Sequence, residues 1–473
     1  MNRLRRKFHF NLFIHLISLI ITLIMMPNNL EAFNPQLNFN LVIIAFFNII
    51  VFFKLQYQTI KSFISIELFF VIGFIIVHFQ IPFLASIGIE PVRPDLIWIN
   101  KRVVNFATWL SVMSLLIWFL GNIISLNRPL KKVFIKRYKV NDSFILGLAS
   151  ASLILFIAIV GNEFLSGNYN GNLNWNEGAN YIFLILKTTL YLAIIYAFMN
   201  LTKKKSSIKT NFFLLYNNKI LTVTIVIFLL VFFLAGDRGP IIQVSLLIIA
   251  CYSYFVKRVK FRYLSLIFIF GGAIMILLSL GRSSNLSINE KNILTRGYDN
   301  YKYSDISFNP TNELATSNRI LYRAINEVPD KHPYLNGLTF GMAIANTFPF
   351  VSSSILSYTS LPDMYRSSSA FFTFIGQGAN NSWGEGSEIL GDIYINFGTI
   401  GVLVIIFIFG YFIGFITKNI FFSNNPFYLI IFFLIFIESV YINRSHVLAP
   451  IKIIFYALLL DAIFVKYHYY EKK

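Results

Sequence analysis

Apolar runs long enough to cross a lipid bilayer occupy most of this chain of 473 residues. A transmembrane helix needs about 20 largely apolar residues, and about twelve runs come near that length. They lie at residues 8–26, 38–53, 62–79, 104–126, 143–161, 180–200, 218–235, 239–256, 263–280, 390–417, 426–442 and 447–465. Because backbone groups inside a bilayer must be satisfied internally, the sequence predicts an all-α, polytopic membrane protein.

The composition fits this class and excludes others. Hydrophobic residues make up 56% and charged residues 13%, whereas soluble domains carry about 25% charged residues. The net charge of +19 does not indicate a nucleic-acid partner, since the basic residues sit in short loops between apolar runs. The single cysteine, Cys251, excludes a disulfide framework and a thiolate metal site. The basic N-terminus leads into a long apolar run without a cleavage site, which we interpret as a retained first span.

Basic residues concentrate in alternate loops. Residues 27–37 and 162–179 contain neither Lys nor Arg. The basic clusters are Arg3, Arg5, Arg6 and Lys7; Arg128, Lys131, Lys132, Lys136, Arg137 and Lys139; Lys203, Lys204, Lys205 and Lys209; and Lys257, Arg258, Lys260 and Arg262. The positive-inside rule therefore predicts that both termini are cytoplasmic.

One polar stretch interrupts the apolar pattern. The predicted organisation is nine transmembrane helices over 1–280, a large outer-face loop over 281–389, and three further helices with a cytoplasmic tail over 390–473. Within the loop, a helix is predicted after Asn309-Pro310, on which Arg319 and Arg323 share one face. Residues 336–357 are apolar but broken, which favours a helix that lies in the interface or re-enters the membrane.

Several arginines on the predicted outer side suggest an anion site. Arginine presents a rigid fork that matches phosphate oxygens. The candidates are Arg238 with its neighbour Asp237 in the GDRGP corner, Arg282, Arg319, Arg323 and Arg444. Plainer readings stay open: a tight turn for GDRGP, snorkelling to the interface for Arg282, and a solvated helix face for Arg319 and Arg323.

Three side chains are candidates for proton transfer. Glu388 and Asp392 are four residues apart at the mouth of a predicted span, so the two carboxylates face the same way. The plain alternative is acids favoured by a helix N-terminus. His446 lies in the short outer turn beside Arg444. Asn396, one turn after Asp392, joins the candidate substrate-binding residues.

No metal or cofactor is expected. The sequence contains no P-loop, HExxH or GxSxG motif. One class of lipid-sugar glycosyltransferases places a metal-binding acidic pair in its first outer loop, where this chain has only Glu31. Lys187, Glu438 and Lys452 lie within predicted spans, which indicates a polar cavity in the bundle.

Several segments together resemble the bacterial O-antigen polysaccharide polymerase (Wzy) family. In chain order they are AGDRGPIIQ, SNRI, NGLTFGMAIANTFPF, GQGANNSWGEGSEILGDIYINFGTIGV and YINRSH. The match covers roughly the C-terminal half. Many relatives place a Pro-Arg pair where this chain has Phe348-Pro349-Phe350, so any role of that arginine is absent or moved.

The resemblance implies a multi-pass protein of the bacterial inner membrane, built as a mostly helical, GT-C-like bundle. It would join undecaprenyl-pyrophosphate-linked oligosaccharide repeat units at the outer, periplasmic face, together with a separate chain-length regulator. The arginines would bind pyrophosphate, and Asp392, Glu388 or His446 would take the acceptor proton. Two alternatives remain open: an O-antigen ligase, which leans on a histidine in its large loop where this chain has only His332, and a flippase or exporter, which should show two similar halves.

Overall fold

The described part of the chain folds into two compact units. A computed structural model describes residues 2–128, 134–140, 142–161, 164, 178–201, 218–260, 262–263, 265–266, 271–272, 277–278, 280–281, 293–303, 309, 311–423 and 425–470. Unit 1 comprises Met1–Val133, Thr311–Tyr428 and Glu438–Lys452. Unit 2 comprises Phe134–Pro310, Leu429–Ile437 and Ile453–Lys473. Each unit therefore combines segments that are distant in sequence.

The regular elements are almost all helical. In chain order they are α1 Asn2–Ile24, α2 Pro35–Ile60, α3 Ile66–Phe74, α4 Gln80–Ser86, α5 Pro94–Ile97, α6 Val104–Asn127, β1 Phe134–Val140, α7 Asp142–Val160, α8 Ala179–Leu201, α9 Lys219–Ala235, α10 Arg238–Phe255, α11 Ile293–Tyr303, α12 Asn312–Ala315, α13 Asn318–Glu327, α14 Leu338–Ala345, α15 Val351–Thr359, α16 Ser368–Gln377, α17 Ile389–Ser423, α18 Pro426–Glu438, α19 Ile451–Phe464 and β2 Val465–Tyr470. A π-helical turn, Ile75–Phe79, links α3 to α4.

Local sequence signals explain where the early helices begin. The side chain of Asn34 accepts a hydrogen bond from the backbone N–H of Leu37 at 3.0 Å, and Pro35 occupies the first helical position of α2. Ser65 caps α3 by accepting from the N–H of Leu68 at 3.2 Å. These caps satisfy N–H groups that a helix start otherwise leaves without a partner.

In unit 1, α6 and α17 pack backbone to backbone. A Cβ on Gly121 would lie 2.3 Å from the carbonyl oxygen of Phe407, and one on Gly410 would lie 2.3 Å from that of Trp118. One turn further, a Cβ on Gly414 would lie 2.7 Å from the carbonyl oxygen of Asn122. Small residues at helix contacts are typical of membrane proteins, where close packing replaces the hydrophobic drive.

Unit 2 combines apolar helix packing with a few buried polar pairs. The rings of Phe156 on α7 and Phe232 on α9 stack with their centroids 5.6 Å apart. The hydroxyl of Tyr191 donates to Gln243 at 2.8 Å, and the hydroxyl of Tyr196 donates to the carboxylate of Asp461. Strands β1 and β2 form an antiparallel ribbon, which the all-helical prediction did not include.

Within the described residues, eight helical segments are long and apolar enough to cross a membrane. The chain is therefore a polytopic membrane protein. These eight segments coincide with the first six, the eighth and the tenth of the predicted spans. At the seventh and eleventh predicted spans the structure has the shorter apolar helices α9 and α18. Most of the predicted ninth span, 263–280, lies outside the described residues. The total of twelve and the cytoplasmic placement of both termini remain predictions.

The polar loop folds mainly into short helices. The helix predicted after Asn309-Pro310 is divided by Thr316 and Ser317 into α12 and α13, and Pro310 lies outside the described residues. The broken apolar stretch 336–357 forms α14 and most of α15, separated by a turn in which Phe350 has a φ of 64°. That left-handed backbone at a bulky residue explains why one continuous helix does not form.

Candidate functional site

The first nine residues of α17 form a separate short helix that carries several candidate residues. Gly398 has a φ of 64°, so the helix breaks after Phe397. The backbone carbonyl groups that have no helical partner at the break accept hydrogen bonds from the segment just before α14. The N–H of Leu335 donates to Ile395 at 2.9 Å, and that of Asn336 donates to Asn396 at 3.1 Å. The short helix is thus fixed at its C-terminal end.

Glu388 fixes the same short helix at its other end. Its two carboxylate oxygens accept the N–H groups of Leu390 and Gly391, each at 2.7 Å. The side chain is completely buried, and Oε1 also lies 3.1 Å from Nε2 of His78. Glu388 therefore occupies the helix N-terminus, the plainer of the two readings of its sequence position. It does not line the cavity described below.

Asp392 and Asn396 belong to one hydrogen-bonded group with Thr339 of α14. The amide of Asn396 donates to the Thr339 hydroxyl at 2.6 Å, and this hydroxyl donates to Oδ1 of Asp392 at 3.4 Å. Asn396 also donates to the backbone carbonyl of Asp392 at 2.7 Å. Asp392 is only 3% exposed. One oxygen of its carboxylate therefore accepts from Thr339, whose hydroxyl in turn accepts from Asn396.

A cavity of about 150 Å³ opens beside Asp392. His446 and Lys452 line the same cavity. Two of the three proton-transfer candidates, Asp392 and His446, therefore lie in one place. Burial lowers the pKa of His446 from 6.5 to about 4, which keeps its imidazole neutral near pH 7 and makes it a weaker base than a free histidine. The remaining lining residues are Thr339, Phe340, Ala343, Asn346, Ser367, Ser368, Leu448, Ala449 and Ile451. This mixture of polar, aromatic and aliphatic groups is suited to a small polar organic molecule.

Two of the predicted arginines meet around one buried carboxylate. Nη2 of Arg319 lies 2.8 Å from Oε2 of Glu385 and donates to the Glu385 backbone carbonyl at 3.2 Å. Nη2 of Arg323 lies 3.7 Å from Oε1 of the same carboxylate. Gly376 of α16 makes room for this arrangement, because a Cβ there would lie 2.9 Å from Cζ of Arg323. The ring of Trp383 faces the guanidinium of Arg319 at 4.7 Å.

The arginine cluster carries more positive than negative charge. Burial lowers the pKa of Arg319; Glu385 opposes that shift, while Arg323, Arg444 and Arg93 add to it. Because arginine nonetheless stays charged in proteins, this repulsion is an energetic cost of the arrangement. Nη1 of Arg319 is also buried without a hydrogen-bond partner among the described residues. A bound anion would reduce the repulsion and could accept from that nitrogen.

Arg444 and His446 lie two residues apart in the segment between α18 and α19. Nη1 of Arg444 donates to Oε1 of Glu313 on α12 at 3.0 Å, and both side chains are partly exposed. Asn443 anchors the segment, since its buried amide donates to the carbonyl of Phe70 at 3.0 Å. The segment therefore links the exposed Arg444 pair to the cavity that His446 lines.

The other three candidates belong to unit 2 or lie outside the described residues. Gly236 has a φ of 69° and ends α9, after which Asp237 caps α10 by accepting the N–H of Gly239 at 3.3 Å. Arg238 is the first residue of α10. This is the geometry of a tight turn between two helices. Arg282 is outside the described residues, and a substrate-binding role for these three stays a prediction.

Sequence reasoning overlooked His78 and Thr339. His78 stands alone in an apolar span, where a histidine is an inconspicuous signal, although a titratable residue at that depth is costly unless paired. Thr339 occurs in an apolar segment with no charged neighbour. Both residues meet their partners only through contacts distant in sequence. Among the described residues, no group of three or more His, Cys, Asp or Glu side chains could hold a metal ion.

Comparison with known proteins gives one match. The model of a family described as O-antigen polysaccharide polymerase Wzy matches residues 8–473, nearly the whole chain. The resemblance drawn from the C-terminal motifs is thereby confirmed and extends through the N-terminal half. No curated protein and no solved structure matches the chain significantly.

Proposed function

Since the chain belongs to the O-antigen polysaccharide polymerase Wzy family, we propose that it polymerises undecaprenyl-pyrophosphate-linked oligosaccharide repeat units at the outer face of the bacterial inner membrane. The family implies a polymerase of O-antigen repeat units, an activity of the glycosyltransferase type that acts on lipid-linked oligosaccharide in a membrane. The lipid carrier, the membrane face and the roles of individual residues are our proposal. A separate chain-length regulator would act with it.

The observation that carries the proposal is the placement of two different subsites on one short segment. Glu385 anchors the arginine cluster, and Asp392, seven residues further, lines the cavity. The segment that holds Arg444 and His446 links the same two places. A reaction that joins a sugar hydroxyl to a pyrophosphate-linked sugar needs an anion site and a proton acceptor close together.

The arginine cluster is proposed to bind the pyrophosphate of the donor. Arg319 and Arg323 share one carboxylate, which leaves one positive charge in excess. Arg444 is 42% exposed at its side chain and could meet the anion first. Guanidinium groups aimed at the leaving oxygen would stabilise the charge that develops as the pyrophosphate departs. A substrate-binding role for Asp237, Arg238 and Arg282 stays a prediction from the sequence.

The cavity is proposed to hold the hydroxyl-bearing sugar of the acceptor. A volume of about 150 Å³ suits a single sugar ring rather than a whole repeat unit. The carboxylate of Asp392 or the neutral imidazole of His446 would take the hydroxyl proton. Glu388 is the weakest of the three candidate bases, since both of its carboxylate oxygens already accept backbone N–H groups.

The proposed step balances without a further reactant. The acceptor oxygen attacks the anomeric carbon of the donor sugar, and a new glycosidic bond forms. The bond between that carbon and the pyrophosphate oxygen breaks, and the leaving lipid pyrophosphate keeps the electron pair. The acceptor proton passes to Asp392 or His446. The growing chain is thus transferred to the next lipid-linked repeat.

A reconstituted assay tests the proposal. The purified protein in liposomes would receive lipid-linked repeat units extracted from a polymerase-deficient strain. We expect oligomers of increasing length and release of lipid pyrophosphate in equal number to the bonds formed. Transfer of a repeat to a lipid A core without oligomers would instead indicate a ligase, and movement of intact units across the bilayer without bond formation would indicate a flippase.

A further inference from the structure

One buried histidine contacts both halves of the proposed site. His78 lies in the π-helical turn Ile75–Phe79, and its side chain is fully buried. Single π-helical turns inside helices are frequent at functional sites. The ring packs on Phe74 with the two centroids 4.1 Å apart, so its orientation is fixed by packing.

The ring of His78 contacts the residue that caps the short helix carrying Asp392. Nε2 lies 3.1 Å from Oε1 of Glu388, whose two oxygens hold the N–H groups of Leu390 and Gly391. The backbone carbonyl of Glu388 accepts from the N–H of Asp392 at 2.8 Å. A displacement of the His78 ring would therefore be transmitted to the first turn of this helix, and with it to Asp392.

The backbone carbonyl of His78 contacts the helix that carries the arginines. It accepts a hydrogen bond from the amide of Asn318 at 3.3 Å, and Asn318 immediately precedes Arg319 at the start of α13. The carbonyl is available because residue 82, four positions on, is a proline without an N–H group. A second contact lies nearby: the hydroxyl of Thr311, which precedes α12, donates to Gln80 at 2.7 Å.

We propose that His78 is a positioning residue that fixes the separation between the helical turn that carries Asp392 and the helix that carries Arg319 and Arg323. The inference rests on the polymerase function proposed above. Its ring sets the place of Asp392 through Glu388, and its carbonyl sets the place of Arg319 through Asn318. Misplacing reacting groups by about 1 Å can cost about 100-fold in rate. Disturbing His78 should therefore slow the chemical step more than it weakens substrate binding.

The chain offers a matched control for a buried histidine. His15 is also completely buried, and its Nδ1 lies 2.6 Å from the amide oxygen of Asn48 between α1 and α2. Replacing His15 by Phe removes an equivalent polar contact without touching the proposed site. Four variants are compared with the wild type: His78→Phe, His78→Gln, Asn318→Leu and His15→Phe. Each is purified, reconstituted in liposomes and supplied with lipid-linked repeat units, and its unfolding temperature is measured.

We expect His78→Phe and Asn318→Leu to lower kcat about 100-fold while KM for the lipid-linked repeat stays within about 2-fold. His78→Gln keeps a polar nitrogen-bearing side chain at the place where Nε2 of His78 approaches Glu388 at 3.1 Å, and it should recover kcat to within about 10-fold of the wild type. His15→Phe should keep its kcat even if its unfolding temperature falls as far as that of His78→Phe.

If the wild-type protein polymerises in this assay, any one of three results would overturn the inference. They are an unchanged kcat in His78→Phe, an equal loss of kcat in His15→Phe, and no recovery in His78→Gln. If His78→Phe fails to insert, Asn318→Leu and His78→Gln decide the question by the same criteria. A wild-type protein that forms no polymer contradicts the proposed function itself, and this inference falls with it.

Discussion

Nη2 of Arg319 lies 2.8 Å from Oε2 of Glu385, and both side chains are less than a tenth exposed. The pair is not neutral as a group, because Arg323 approaches the same carboxylate. Buried ion pairs add little to stability on average, and a buried excess of charge is a cost. Because stability alone gives little reason for this arrangement, and because an anion site here is our proposal, the pair is the first target for substitution.

Replacing Arg319 by Lys should lower polymerisation about 100-fold, since a lysine cannot form two directed hydrogen bonds from one planar group. Arg319→Ala should abolish polymer and cost about 3–5 kcal/mol of stability, because it breaks the buried contact with Glu385. The readouts are chain length on a gel and the unfolding temperature of the purified protein. Arg366→Lys is the matched control, since its pair with Asp363 is exposed. Equal activity in Arg319→Lys and the wild type would remove Arg319 from the site.

Gly376→Ala should impair polymerisation by displacing Arg323. The added Cβ would lie 2.9 Å from Cζ of Arg323 and 3.1 Å from Oε1 of Glu385. Gly341→Ala provides the control, because this glycine is also helical and an added Cβ would have no neighbour within 4 Å. Gly341→Ala should be active and more stable by about 0.5–1 kcal/mol. Similar activity of the two variants in the reconstituted assay would show that the position of Arg323 does not matter.

Asp392→Asn should lower the polymerisation rate more than the unfolding temperature, and Glu388→Gln should do the reverse. Asp392→Asn keeps the size of the side chain but removes a base, so the rate should fall at least about 100-fold with little change in unfolding temperature. Glu388→Gln has one carboxamide oxygen for two N–H groups, so it should unfold at lower temperature and keep measurable polymerisation. Rates and unfolding curves from the same preparations check both. A fully active Asp392→Asn variant would leave His446 as the candidate base.

The pH dependence of stability should reveal the lowered pKa of the buried His446 ring. Its pKa is about 4 in the folded protein and about 6.5 unfolded, so the unfolded state binds more protons between these values. The stability contribution of the neutral imidazole is present above pH 6.5 and is lost as the pH falls toward 4. The wild type should therefore lose unfolding temperature relative to His446→Gln across this window. A constant difference between the two proteins from pH 7.5 to 4.5 would contradict the burial of this ring.

The sequence anticipated some of this geometry for reasons of local spacing. Arg319 and Arg323 are four residues apart on a predicted helix, and the structure places both beside Glu385. The same spacing predicts that Glu388 and Asp392 face the same way, yet Glu388 folds back on the helix N-terminus and only Asp392 lines the cavity. Spacing gives direction along a regular helix, but it does not tell which residue the helix starts at.

Other features depend on contacts that a single sequence does not encode locally. His78 and Glu388 are 310 positions apart, and no sequence motif around either residue predicts that the two are in contact. The break at Gly398 divides a segment that the sequence predicts as one span, and the broken apolar pattern of 336–357 does not single out Phe350 as the position of the turn. The polytopic class, by contrast, follows from the length and composition of the apolar runs, and eight of them form helices of spanning length in the described residues.

The measurement that tests the central claim most directly is the length of surface polysaccharide after deletion of the gene in a strain that carries its own sugar-assembly cluster. The account predicts that single capped repeat units remain and the ladder disappears, because export and ligation still work. Expression of the wild-type gene should restore the ladder, and Asp392→Asn should not. If no repeat unit reaches the surface and lipid-linked units accumulate inside, the protein acts as a flippase or ligase and the polymerase account is contradicted.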